Sequence, residues 1–193
     1  MLDKLFSEIT INGKTLKNRC VVNPLLTNFC EEDGTCTERF AAYHEAKAKG
    51  GFGMIVTENV AVTSVAKGYQ WIPGLWKEEH IPGFKAMTDR IHQYGTVVIA
   101  QLNHPGRQAS EKFAKAQSWA PSAIPDPYHN REMPHEMTIE EIHKTVADFG
   151  DAARRAKEAG FDGVELHGAH GYMIPQFLSL YTNKRTDEYG GDL

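Results

Sequence analysis

Four short apolar segments recur along the chain and predict buried β-strands. They read RCVVNP at 19–24, GMIVTE at 53–58, TVVIAQL at 96–102 and DGVELH at 162–167. Such runs are apolar at consecutive rather than alternate positions, which is typical of strands covered on both faces. Ahead of them, ITINGKTL alternates apolar and polar residues around Asn12-Gly13, a dipeptide that favours a tight β-hairpin.

Segments with helical periodicity separate the predicted strands. Residues 38–49, residues 81–94 and the segment after Thr138 repeat apolar positions every three or four residues. The third helix is the clearest, because Thr138 and Glu141 have the spacing of a capping box and Val146 continues its apolar stripe. Each predicted helix is followed by a glycine suited to a left-handed C-terminal position: Gly50, Gly95 and Gly160.

Alternating strands and helices predict an α/β fold with parallel strands and right-handed crossovers. A doubly wound sheet of the dinucleotide-binding kind needs a glycine-rich turn after its first strand, whereas this chain reads NPLLTNF at 23–29. Polar residues instead stand near the ends of three strands (Asn59, Gln101 and His167), as in a (β/α)8 barrel. We therefore expect residues 1–193 to form one partial domain, half a (β/α)8 barrel of about four βα units preceded by the hairpin.

The connection between the third strand and the third helix is unusually long. It spans about residues 103–137 and contains five prolines. A loop of this length inside a compact domain is typically a lid or a substrate wall, but a mobile insertion gives the same pattern. Both interpretations stay open from the sequence.

Composition and charge exclude several classes of partner. The net charge is −4, with 21 basic and 25 acidic residues, which gives no electrostatic reason to expect nucleic acid or an anionic membrane. No apolar run approaches a membrane span, and the N-terminus MLDKLFSEI lacks the apolar core of a secretory signal. The odd set of three cysteines predicts free thiols in a reducing compartment, and hence the cytoplasm.

Two histidines and a tyrosine directly follow the fourth strand, in GVELHGAHGYMIPQFL at 163–178. Zinc-binding helices place their two histidines at i and i+4 around a glutamate, whereas His167 and His170 are three residues apart at a strand end. Packing of two buried imidazoles is the second alternative. In the third alternative, two neutral imidazoles both donate to one ligand oxygen and so stabilise negative charge on it.

Tyr172 extends the third alternative into a reaction. A phenol with a pKa near 10 is protonated at pH 7 and can give a proton to a carbanion. Two donors and one acid suit the reduction of an α,β-unsaturated carbonyl compound. Because none of these side chains supplies a hydride, a redox cofactor is required.

The same residues carry a family resemblance. HGAHGYMIPQFLS, followed by TNKRTDEYGG at 182–191, resembles the old yellow enzymes, and in particular the branch of 2,4-dienoyl-CoA reductases and bile-acid-inducible NADH:flavin oxidoreductases. LKNRCVVNP, KGGFGMIVTE, IAQLNHPGR, APSAI and MTIEEI resemble further family segments in the same order. The resemblance implies the N-terminal portion of an FMN-binding barrel, in which NAD(P)H reduces the flavin and the flavin reduces a small unsaturated carbonyl substrate such as an enoyl or dienoyl thioester or a 3-oxo-Δ4 steroid.

By resemblance, the catalytic residues are Tyr172, His167 and His170. The histidines would polarise the substrate carbonyl, His167 would also contact the cofactor, and Tyr172 would protonate the α-carbon. Further cofactor contacts are implied for Pro24, Leu25, Leu26, Asn59 and Gln101. Arg107 resembles a loop anchor.

Two positions depart from the family pattern. Leu26 stands where relatives often have a side chain that hydrogen-bonds the flavin O4, and leucine cannot make this bond. Asn59 replaces a small residue and could restore that bond, which is a hypothesis for test.

A complete barrel needs a phosphate site that these four βα units do not include. Barrels bind phosphate after strands seven and eight, so we expect this chain to be a fragment of a longer enzyme. In larger relatives a 4Fe–4S cluster and FAD belong to downstream regions. The alternatives are a non-catalytic half-barrel, whose open strand edges would favour pairing into a homo-oligomer, and a barrel metallohydrolase that uses the two histidines.

Overall fold

The computed structural model describes residues 2–129 and 131–191. In chain order the elements are α1 (Leu2–Leu5), β1 (Ile9–Ile11), β2 (Lys14–Leu16), β3 (Val21–Val22), α2 (Glu38–Lys49), β4 (Met54–Ala61), α3 (Ile81–His92), β5 (Val97–Asn103), α4 (Glu111–Ala114), β6 (Trp119–Ala120), β7 (His135–Glu136), α5 (Ile139–Glu158), β8 (Gly163–Leu166) and α6 (Met173–Leu178). The four predicted strands correspond to β3, β4, β5 and β8, and the three predicted helices to α2, α3 and α5.

The central sheet has the order β3-β4-β5-β8, and every pair in it is parallel. Strands are therefore added in chain order in one direction, as in a barrel, whereas a doubly wound sheet reverses direction at a switch point. Within residues 2–129 and 131–191, β3 and β8 each pair with one neighbour only. Leu166 in β8 is 57% exposed, as expected at an open edge.

Local signals in the sequence explain the element ends. The hairpin β1–β2 turns at Asn12 and Gly13, whose φ angles of 45° and 78° are both left-handed. The Thr138 side chain accepts from the Glu141 N–H and the Glu141 side chain accepts from the Thr138 N–H, so the predicted capping box is confirmed.

Three local expectations were wrong. Only Val21 and Val22 of the segment 19–24 pair with a neighbouring strand. Gly50 has a right-handed φ of −70°, and it is Gly51 that turns left-handed at 97°. Val146 is 65% exposed although it continues the apolar periodicity of α5, because the buried stripe of that helix runs through Ile142, Thr145, Ala152 and Ala156.

A single apolar layer between the sheet and helices α2, α3 and α5 stabilises the fold. Its fully buried large side chains include Phe40 from α2, Ile55 from β4, Phe84 from α3, and Val98 and Leu102 from β5. Burial of each such side chain contributes roughly 1.5–3 kcal/mol. The opposite, inner face of the sheet carries polar side chains near the strand ends, including the paired Gln101 and Glu165.

A β-bulge in β4 determines which of its side chains lie on the inner face of the sheet. The register with β5 shifts between Val56 and Asn59, after which Asn59 lies opposite Gln101. A bulge places an extra residue in one strand and redirects the side chains that follow it. Asn59, which was expected after the strand, therefore lies within β4, as Gln101 does within β5.

The long connection is organised rather than structureless. It holds a 3-10 turn at Gly106–Gln108, the short helix α4 and the parallel pair β6–β7. Arg107 is buried and donates from Nη1 to the carbonyl oxygens of Ile124 and Pro125, at 3.5 and 3.2 Å. This arginine therefore anchors the connection, as expected. In the part of the chain that the structure describes, no helix is long and apolar enough to cross a membrane.

Candidate active site

The residues that the sequence predicted for the site surround one cavity of about 650 Å³, here called the main cavity. It lies where β3, β4, β5 and β8 end or approach their C-terminal ends. Its lining comprises Asn23, Pro24, Leu25, Leu26, Glu58, Asn59, Gln101, Glu165, Leu166, His167, Gly168, Ala169, His170 and Tyr172. Strand ends from four βα units thus bring together residues up to 149 positions apart in sequence (Asn23 and Tyr172).

His167 and His170 form a close pair beyond the end of β8. The His170 Nδ1 and His167 Nε2 atoms are 3.4 Å apart, and the two rings meet nearly edge-on, at 78°. His170 has a left-handed φ of 57° and is followed by Gly171 at 68°, so a tight turn brings the second ring back over the first. Two nitrogens at this separation can both lie about 2.9 Å from one oxygen atom, within hydrogen-bond distance.

The surroundings of His167 favour its neutral form. Burial of His167, with the charge of His170 adding to it, lowers the pKa of His167 below its ordinary value. A neutral imidazole carries one N–H, so each ring can donate once to a ligand. The pair is therefore suited to bind an oxygen on which negative charge develops.

Tyr172 stands next to this pair at the start of α6. Its ring centroid is 4.8 Å from that of His167 and 6.2 Å from that of His170. Burial, with Tyr69 nearby, raises the pKa of the Tyr172 phenol. The hydroxyl is thus fully protonated at neutral pH, and it is placed to serve the same ligand as the histidines.

Gln101 has its amide orientation fixed by a carboxylate. Its Nε2 donates to Glu165 Oε1 at 2.7 Å. Because a carboxylate only accepts, the amide NH2 group must face Glu165, and Gln101 Oε1 remains as an acceptor. A ligand edge that meets this oxygen has to present an N–H group.

Three apolar residues after β3 form an unusually exposed wall. Leu25 is 64% exposed and Leu26 is 40% exposed, beside the half-buried Pro24. Leucines at such exposure next to a polar cavity are suited to pack against a flat apolar ring.

Sequence reasoning missed Glu58, which also lines the main cavity. It is almost fully buried, and its Oε2 accepts from the backbone N–H of Thr27, so it fixes the segment that carries Leu25 and Leu26. Burial raises the pKa of Glu58. A charged residue inside the apolar run GMIVTE was the signal that could have found it.

The metal alternative predicted from the histidines finds no converging ligand set in the described ranges, 2–129 and 131–191. No group of three or more His, Cys, Asp or Glu side chains is arranged there to hold a metal ion. The neighbours of His167 and His170 are instead each other and Tyr172.

Residues 4–193 match the model of the NADH:flavin oxidoreductase / NADH oxidase family. The chain belongs to this family. It is 44% identical over 191 residues to an NADPH dehydrogenase of Listeria monocytogenes serotype 4a (strain HCC23). The aligned region covers 98% of this chain and 55% of that protein. It is 42% identical over 189 residues to an NADH oxidase of Thermoanaerobacter brockii. This alignment covers 97% of this chain and 29% of that protein.

Solved structures confirm the fold. A 2-naphthoyl-CoA reductase in complex with 2-naphthoyl-CoA superposes with a TM-score of 0.95 at 34% identity, over 100% of this chain and 31% of that one. Morphinone reductase superposes with a TM-score of 0.92 at 31% identity, over 97% of this chain and 54% of that one. An old yellow enzyme homologue from Zymomonas mobilis superposes with a TM-score of 0.89 at 32% identity, over 97% of this chain and 55% of that one. The predicted partial barrel and the predicted old yellow enzyme kinship are therefore confirmed, and the chain spans about half the length of several of these relatives.

The main cavity fits the ring system of FMN, the group that this family implies. The isoalloxazine is a flat apolar ring with a pyrimidine edge whose N3–H lies between two carbonyl groups. Leu25 and Leu26 offer the flat wall, and the acceptor oxygen of Gln101 offers a partner for an N–H. Within the described lining there is no lysine or arginine, so this cavity shows a fit for the ring but no cationic partner for the phosphate.

Proposed function

We propose that this chain carries the substrate-activating part of an NAD(P)H-dependent, FMN-containing ene-reductase that acts on α,β-unsaturated carbonyl compounds. The observation that carries the proposal is the cluster of His167, His170 and Tyr172, with two ring nitrogens 3.4 Å apart and a phenol against the same rings. Membership of the NADH:flavin oxidoreductase family supports the cofactor and the reductant.

The histidine pair binds and polarises the substrate carbonyl. A carbonyl oxygen that accepts from both rings gains most from them when it becomes an enolate oxygen, because hydrogen bonds to a charged acceptor are stronger. For this role each imidazole must donate an N–H to the oxygen and carry no permanent positive charge. The neutral form of the ring meets both conditions. The lowered pKa of His167 favours that state for its own ring.

Tyr172 completes the reaction by protonation. When FMN is bound and reduced by NAD(P)H, it supplies the hydride that adds to the β-carbon. The electron pair of the C=C bond then moves toward the carbonyl, and the Tyr172 hydroxyl donates its proton to the α-carbon. One C–H bond forms at each carbon, the alkene is reduced, and solvent reprotonates the phenolate.

Tyr172→Phe tests this assignment in two separate half-reactions. In protein loaded with FMN, reduction of the flavin by NADH or NADPH should change less than about twofold, because no proton from Tyr172 is needed there. Reoxidation by pent-3-en-2-one should slow by about 10² or more, the usual contribution of a general acid. Anaerobic stopped-flow absorbance of the flavin measures both rates.

The control is Tyr43→Phe, which removes the same hydroxyl from the outer helix α2. It should leave both half-reactions intact. Equal losses of the two half-reactions in Tyr172→Phe would contradict the proton-donor role. Failure of the unmodified, reduced protein to reduce any enone would overturn the proposed function itself.

A further inference from the structure

A second cavity of about 240 Å³ opens beside the main cavity. The two share Asn59 and Tyr172, which line both. The remaining lining consists of Gly68, Tyr69, Pro105, Gln108, Ser110, Phe113 and His129. A ligand whose oxygen lies at the histidine pair therefore has space to extend past Tyr172.

The lining of this second cavity is rich in rings. Tyr69, Phe113, His129 and Tyr172 each contribute an aromatic side chain. Aromatic faces and edges favour other flat rings over flexible chains, and such pairs add roughly 0.5–1.5 kcal/mol beyond area burial. An apolar protein cavity of roughly 150 Å³ suffices to hold benzene. The second cavity is thus large enough for one six-membered ring with a substituent.

Hydrogen bonds attach the walls of the second cavity to the turn at residues 167–172, here called the catalytic turn. Gln108 Nε2 donates to the carbonyl oxygens of His170 and Gly171, both at 3.0 Å. Gln176, buried in α6, donates to Pro105 O at 3.1 Å and to Gly171 O at 2.7 Å. The subsite and the histidine pair are therefore parts of one fixed structure.

The part of the wall that His129 forms is held by hydrogen bonds within the long connection. The buried carboxylate of Asp126 accepts from the His129 backbone N–H and contacts the His129 ring Nδ1, both at 2.9 Å. The Asp126 carboxylate lies 3.8 Å from the guanidinium of Arg107, which anchors the long connection. This connection therefore forms a wall of the second cavity.

Gly68 explains why the cavity is open. A Cβ atom at this position would lie 3.7 Å from Gln108 O and 3.9 Å from Pro105 Cβ, which is ordinary contact, and the backbone is not left-handed there. A side chain is therefore tolerated at position 68, and its absence leaves the space between residues 68 and 108 empty. A larger residue would occupy the cavity without straining the backbone.

We propose that the second cavity is a subsite for a planar ring at the end of the substrate remote from its carbonyl oxygen. The inference rests on the proposed function and extends it to a substrate class: enones or enoyl compounds that carry an aromatic or flat alicyclic ring. Phe113 and Tyr69 provide the ring contacts, and Gly68 provides the space.

A matched pair of substrates tests the subsite. Pent-3-en-2-one and 4-phenylbut-3-en-2-one share one enone and differ by methyl against phenyl at the β-carbon. Gly68→Val should raise the KM for the phenyl compound about tenfold or more, and the KM for the methyl compound less than twofold. Gly150→Val is the matched control, since Gly150 lies on the exposed face of α5 with no atom near its Cβ position. It should change neither value.

Binding without turnover gives the second measurement. Calorimetric titration of the saturated product 4-phenylbutan-2-one should show affinity lost in both Gly68→Val and Phe113→Ala, the first by filling the cavity and the second by removing a wall. Equal changes for both enones in Gly68→Val, or unchanged product affinity in the two variants, would overturn the subsite. If the unmodified protein reduces neither enone, the proposed function fails, and the titration still decides whether the ring binds here.

Discussion

Acid should destabilise this protein through His44, and His44→Leu should remove that part of the pH dependence. His44 lies in α2, is 2% exposed, and packs edge-on against Phe40 and Tyr43 with ring centroids 4.6 and 5.2 Å away. Neither of its ring nitrogens has a hydrogen-bond partner among the residues that the structure describes. Burial, with a smaller contribution from the charge of Lys47, lowers the pKa of His44 from 6.5 to about 4.

The size and sign of the effect follow from that pKa. At pH 7.5 the imidazole is neutral in both states and adds no pH dependence. As the pH falls through 6.5 the unfolded chain binds the proton first, so the free energy of unfolding decreases, and the decrease ends below pH 4, where the folded state binds it too. The full loss is about 3.4 kcal/mol, and at pH 5.0 it is about 2 kcal/mol.

Urea denaturation at pH 7.5 and pH 5.0 measures this loss in the unmodified protein and in His44→Leu. Other titrating groups, including buried His104, whose pKa burial lowers to about 3, are common to both proteins and cancel in the comparison. Between pH 7.5 and pH 5.0, the free energy of unfolding of His44→Leu should fall by about 2 kcal/mol less than that of the unmodified protein. Parallel pH profiles for the two proteins would refute the idea that this ring stays neutral in the fold.

Two further substitutions test the site and its support. Asn59→Ala should lower the midpoint potential of bound FMN by roughly 10–30 mV if the Asn59 amide bonds the flavin, the equivalent of one hydrogen bond; a spectroelectrochemical titration that gives an unchanged potential would rule that bond out. Gly106→Ala should lower the free energy of unfolding by about 2 kcal/mol or more, because its φ is +62° and a Cβ would lie 2.1 Å from Gln176 Oε1, part of a buried amide that its hydrogen bonds to Pro105 O and Gly171 O hold in place. Gly13→Ala, with a φ of +78° and no atom near, isolates the backbone cost in the same denaturation assay, and equal losses would disprove the clash.

The elements that sequence reasoning found are those with local causes. The Asn12-Gly13 turn and the Thr138–Glu141 capping box are set by a few neighbouring residues, and both form as predicted. The histidine pair with Tyr172 was equally accessible, since all three residues lie within six positions after one strand. Strand ends of a parallel barrel converge, so Asn59 and Gln101 were expected beside them once the fold class was chosen, whereas Pro24, Leu25 and Leu26 came from the family resemblance.

The features that were missed depend on distant partners. Glu58 acquires its role because a bulge in β4 turns it toward Thr27, which is 31 residues away. The second cavity depends on Gln108 and Gln176, which hold the long connection against the catalytic turn. Val146 shows the opposite error, since helical periodicity indicates which residues are apolar but not which of them another element covers.

Tyr172 joins the two cavities, and its two parts serve them differently. In the proposed function the hydroxyl is the proton donor at the histidine pair, whereas the side chain as a whole lines the second cavity too. A substrate ring seated against Phe113 therefore also fixes the distance between its own alkene and the phenol. Binding energy gained in the second cavity is then used to position the α-carbon, which is how contacts remote from the reacting atoms raise rate as well as affinity. If both proposals hold, discrimination between substrates and proton delivery are coupled through one side chain, and Gly68, which leaves room for the ring, acts on both.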